Sequence, residues 1–153
     1  MGLGKRVFAI VGGSTPSLFG GGAALIRVAF GATLALAHGM GKLPPAEGFV
    51  AAVGALGFPL PGVFAWAAGL AEFAGGLLLA VGLLTRPAAA FVAFTMGVAF
   101  FGQHAGDPFG AREMALLYGV VALGFLIGGS GPFGLDALLG QRRGAVVSSG
   151  GGR

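Results

Sequence analysis

Two ionisable residues stand inside long apolar runs. Arg27 lies in SLFGGGAALIRVAFGATLALAH, residues 17–38, and Glu72 lies in GVFAWAAGLAEFAGGLLLAVGLL, residues 62–84. Each is close to the middle of its run. A charge at the centre of a bilayer span costs about 2.5–3.5 kcal/mol on insertion scales. If the two runs are antiparallel helices, both charges fall near the midplane, and mutual pairing would lower that cost. This predicts an Arg27–Glu72 ion pair. At about 100° per residue, Arg27 shares a face with Gly31, Leu34 and His38. Glu72 shares one with Ala65, Ala68, Gly69, Gly75, Gly76 and Leu79. The glycines Gly31, Gly69, Gly75 and Gly76 would let a neighbouring backbone approach closely. Such a pair has two readings. It specifies helix packing without chemistry, or it forms a ligand or proton site. Both fit the residues.

A second set of polar residues falls at one end of the same spans: His38, Lys42, Gln103, His104, Asp107, Arg112 and Glu113. With Arg27 and Glu72 they could form a polar path from the outer surface to the bundle centre. Taken singly, each has a plainer role. Glu113 complements the dipole at a helix start, and His104 and Asp107 fit a solvated loop. None of these spacings has the character of a metal-ligand motif, so no metal is expected. GSGPFG, residues 129–134, matches GxGxxG literally, but it follows an apolar helix rather than a strand. GMGKL lacks the upstream Gly and the following Ser or Thr of a phosphate-binding loop. No Ser–His–Asp arrangement is visible.

The elements that carry these residues follow from composition. Of 153 residues, 56% are hydrophobic and 9% charged, and the mean hydropathy is +0.91. A soluble domain carries about 25% charged residues. The expectation is therefore an all-α integral membrane four-helix bundle. The spans read as about residues 17–38, 62–84, 87–105 and 113–130, within one domain over 1–139. The formal charge of +4 is scattered, with no basic run and no stacking platform, so nucleic acid is not an expected partner. Four spans put both termini on one side. Lys5, Arg6, Arg86, Arg142, Arg143 and Arg153 fall on that side, against Lys42 and Arg112 on the other. This predicts cytoplasmic termini. A signal peptide is disfavoured because Arg27 would interrupt its apolar region. The loop GMGKLPPAEGFVAAVGALGFPLP has an apolar second half, which predicts a short interfacial or re-entrant helix over 47–56. Residues 140–153 read as a disordered cytoplasmic tail. The absence of cysteine removes disulfides and thiol chemistry by this chain alone.

In order and spacing, these segments resemble the DoxX family of small bacterial membrane proteins. The likeness spans Arg27 to Asp136. It rests on the Arg of the first span, HGMGK, GFPLP, AEFAGGLLLAVGLLTRPAA, QHAG, REMALLYG and GSGPFGLD. The resemblance implies a multi-pass protein of the bacterial inner membrane. It also implies association with quinone-linked or thiol-handling oxidoreductases. No intrinsic cofactor is expected, and the expected ligand is a quinone. The lead reading is a membrane subunit of a quinone-linked oxidoreductase system, working with a partner subunit. The alternatives are a non-catalytic membrane scaffold and a small-molecule transporter. GFLIG, residues 124–128, matches GxxxG and leaves both internal packing and homo-oligomerisation open.

Overall fold

The computed structural model describes residues 16–140. Helix α1 spans Pro16–Thr33 and continues without a break through a π-helical turn, Leu34–Gly39, and a 3-10 turn, Met40–Lys42. Helix α2 spans Glu47–Ala55, α3 Pro61–Val81 and α4 Thr85–Val98. Helix α4 runs on as a π-helical turn, Ala99–Gln103. Helix α5 spans Phe109–Gly128, and a short helix covers residues 135–140. No strand occurs among the described residues. Among the described residues, four helices are long and apolar enough to cross a membrane: Gly20–Lys42, Pro61–Val81, Thr85–Gln103 and Phe109–Gly128. Lys5, Arg6, Arg142, Arg143, Arg153 and the tail from residue 141 lie outside the described residues.

Local signals explain the boundaries. Pro61 opens α3, where its missing N–H is not needed. Gly82 closes α3 in the left-handed region, at φ 71°. Pro87 falls in the first turn of α4.

The packing is inverted relative to a soluble bundle. Leu25, Phe91, Phe94, Phe101 and Ile127 are exposed, whereas Arg27 and Glu72 retain 2% and 1% of their surface. The apolar exterior suits lipid contact. A core of Phe30, Leu34, Leu79, Ala89, Val92 and Met96 joins α1, α3 and α4. Helix α5 packs mainly on α4. It reaches α1 through rings, Phe30 to Tyr118 at 5.3 Å and Phe30 to Phe125 at 6.2 Å.

Helices α1 and α3 meet backbone to backbone. A Cβ on Gly76 would stand 2.8 Å from the Gly31 carbonyl oxygen, and one on Gly39 would strike the Phe73 backbone. These contacts set how far the two helices slide past each other. Gly75 faces α4, against Val92, and Gly69 faces Leu43.

That register removes the expected Arg27–Glu72 ion pair. The Arg27 guanidinium donates to the carbonyls of Leu79 and Ala80. Those residues lie about two helical turns, ~10 Å, beyond Glu72. Glu72 pairs instead with Lys42. The first span ends at Lys42, not His38, and the added turn carries the lysine along the helix to the level of Glu72.

Candidate intramembrane polar site

The Lys42 ammonium binds both carboxylate oxygens of Glu72, at 2.5 and 2.7 Å. Glu72 is buried, and Lys42 is about one-third exposed. Lys42 also stands 5.6 Å from the centre of the Phe49 ring, on α2. A buried carboxylate without such a partner would be costly.

Two chambers flank this pair. One, of about 300 Å³, lies among α1, α3, α4 and α5 and is lined by His38, Lys42, Glu72, His104 and Tyr118 together with Leu34 and Met96. The other, of about 280 Å³, lies beneath α2 and is lined by Lys42, Glu72, Gln103 and His104 with Phe49 and Leu56. Lys42, Glu72, Ala99 and His104 belong to both. The ion pair and His104 therefore stand at the partition between them.

The two π-helical turns border the site. His38 belongs to the first, and Gln103 ends the second, just before His104. In the second, the His104 N–H reaches back to the Ala99 carbonyl at 2.9 Å. A π turn inserts one residue into the helical spiral and re-aims the side chains beyond it, and such turns recur at functional sites. His38 meets Tyr118 edge to face, with ring centres 5.3 Å apart. His104 Nδ1 lies 2.7 Å from Asp107 Oδ2. The carboxylate would favour a proton on Nδ1, which leaves Nε2 as the acceptor when the ring is neutral. Arg112 donates to the Ala105 carbonyl and stacks on Phe100, 4.0 Å from the ring centre.

The sequence-predicted residues thus divide. His38, Lys42, Glu72 and His104 come together around one chamber, Gln103 lines the second, and Asp107 orients His104. Glu113 is exposed and lines neither chamber. Arg27 belongs to the opposite end of the bundle. Two contributors were not singled out from the sequence: Tyr118 and Phe49. The signal for Tyr118 was its being the single Tyr of the chain, inside an otherwise apolar span. Among the described residues, no group of three His, Asp or Glu could hold a metal.

At the opposite end, Arg27 occupies the C-terminus of α3. It bonds Leu79 O at 2.8 Å, Ala80 O at 2.7 Å and Phe133 O at 3.3 Å. The first two are carbonyls of the last helical turn, at the negative pole of its dipole, and Leu79 O also accepts from the Gly82 N–H at 3.1 Å. Asp136 does the converse at the start of α4, accepting from the N–H groups of Leu84 and Thr85 at 2.8 and 2.9 Å. Its own N–H donates to the Gly82 carbonyl at 2.8 Å. Burial opposes ionisation of Asp136. The hydrogen bonds and the charge of Arg27 outweigh burial and hold the carboxyl below its ordinary value. Gly82 must be glycine twice over. Its φ is 71°, and a Cβ there would lie 2.5 Å from Arg27 Nη1 and 2.7 Å from Gly134 Cα. Arg86 caps α5 in the same way, donating to Ile127 O at 3.1 Å.

The chemistry available at the chambered end is clear from these groups. Lys42 has three N–H donors and uses two on Glu72. Tyr118 offers a hydroxyl, and each histidine ring offers one nitrogen donor and one acceptor when neutral. Flat polar groups with carbonyl or hydroxyl oxygens fit this lining. No curated protein and no solved structure matches the chain. The family model described as DoxX matches residues 22–105, more than half of the 153 residues. With this match over α1 to α4 and four membrane-length helices, the chain is a multi-pass membrane protein that belongs to the DoxX family.

Proposed function

We propose that this protein is a membrane subunit of a quinone-linked oxidoreductase system in the bacterial inner membrane. The observation that carries the reading is the convergence of Lys42, Glu72, His38, His104 and Tyr118 on open space inside an otherwise apolar bundle. Intramembrane ionisable groups mark ligand or proton sites by default. A quinone, when bound, takes up two electrons and two protons to become the quinol. The chain's own groups hold the head group and handle its protons. Lys42 donates to a ring carbonyl with its free N–H. His104, oriented by Asp107, supplies or receives a proton at Nε2. Glu72 holds Lys42 in place through both carboxylate oxygens. The electrons come from a partner subunit, since a chain without cysteine carries no thiol couple.

The test is direct. The purified protein in nanodiscs is titrated with a tail-less dimethoxy-methyl-benzoquinone, and native lipid extracts are assayed for co-purifying quinone. Saturable binding by wild type, weakened about tenfold or more in His104→Leu, is expected. A wild-type protein that binds no quinone by either measure would sink the reading and leave a membrane scaffold.

A further inference from the structure

The chambers beside Lys42–Glu72 differ in what lies beyond them. Among the described residues, the chamber containing Tyr118 shares no wall residue with the three apolar spaces that run along α3–α4, beneath α2 and between α1 and α5. The chamber beneath α2 does. Val53, Leu56, Ala68, Thr95 and Val98 line both it and an apolar cavity of about 190 Å³ between α2, α3 and α4. That cavity in turn shares Ala67, Ala71 and Phe91 with a groove of about 380 Å³ along the α3–α4 seam. The three spaces form one series. It begins among Leu78, Leu84 and Pro87 and ends at Gln103, His104 and the ion pair. Along α3, from Leu78 to Ala67, it covers about 17 Å. Phe91 and Phe94, which edge the series, are exposed on the apolar exterior.

We infer that the ligand of this site is a long-tailed membrane amphiphile that enters sideways from the bilayer. Its head group lies in the chamber beneath α2, between Gln103 and Lys42–Glu72, and its alkyl or isoprenoid tail lies in the α3–α4 groove. This rests on the head-group reading above and adds the class of molecule, the chamber and the route. Bilayer tails are as apolar as the groove, so the groove adds little affinity by burial. Its role is steric. A head group held at a buried ion pair needs a path for the chain attached to it, and this series adjoins the polar chamber along five shared wall residues.

The Ala71→Phe variant tests it. Ala71 lines both apolar spaces and neither polar chamber, so a ring there obstructs the tail and spares the head-group contacts. Ala67→Phe, at an exposed position lining the same two spaces, is the second variant should Ala71→Phe misfold. Binding is measured in nanodiscs with a decyl-tailed benzoquinone and its tail-less counterpart. The expected result is a loss of about tenfold or more for the tailed compound, with the tail-less one unchanged. Equal effects on both compounds, or none on either, would overturn the tail route while leaving the head-group site standing. Failure of wild type to bind even the tail-less compound would overturn both.

Discussion

At the α3–α4 turn, Arg27, Asp136 and Arg86 each cover the end of a helix contributed by another part of the chain. At the α4–α5 turn, Lys42 and Glu72 neutralise each other beside open chambers, with His38, His104 and Tyr118 around them. Both ends hold buried charge inside an apolar shell. At the first, the charges answer backbone groups at helix ends, and Gly82 leaves no room even for a methyl group next to the guanidinium. At the second, the charges answer each other, and donors are left over with space in front of them. Buried charge in a membrane bundle therefore does not by itself mark a ligand site. What separates the two ends is whether backbone or empty volume faces the charge.

That contrast can be broken by substitution. The largest effect is expected at Arg27. Arg27→Met strands the Ala80 carbonyl, leaves Leu79 O with only the Gly82 N–H and removes two short charge-assisted bonds, for a loss of about 3–5 kcal/mol. Unfolding in bicelles would register this, and a variant of wild-type stability would refute the architectural role. The next effect is at Lys42. Lys42→Met leaves Glu72 buried without a partner and should cost about 3 kcal/mol, whereas a Lys42→Met, Glu72→Leu double variant should recover most of that stability. The double variant should fold yet bind no head group. A double variant as unstable as the single one would make this end architectural as well.

The smallest effect is at Asp136. Its folded pKa lies below the ordinary value of 3.8, so its contribution is present in full above the unfolded value. It is lost as pH falls through the folded one. Asp136→Asn should cost about 1 kcal/mol at neutral pH, as helix caps do. It should also flatten the stability profile below about pH 4. An unchanged acid limb would show that the carboxylate does not clamp the turn.

Much of this molecule was legible as a string of residues. Uncharged length marked four spans, and the apolar half of GMGKLPPAEGFVAAVGALGFPLP marked α2, found at Glu47–Ala55; the span expected over 62–84 ends earlier, at Val81, where Gly82 turns the chain. Helical phase put Glu72, Gly69, Gly75 and Gly76 on the buried side of α3. The partner of Glu72 was not legible. Arg27 and Glu72 have similar places within their runs, and depth counted from run ends matched them. The first helix, however, persists through a π turn to Lys42, and Gly31 and Gly39 lock α1 against α3 in a register that separates the two charges.

The sequence by itself determined the class: a chain this apolar must place its few buried charges against protein, because lipid offers them nothing to bond. It also determined which residues those are. Only the tertiary structure decided their partners. Phase around a helix follows from spacing at 3.6 residues per turn, but the slide of one helix along another is set by backbone contacts at the crossing. A shift of two turns there exchanges an arginine for a lysine as the partner of Glu72, and turns Arg27 from half of a site into the cap of a helix.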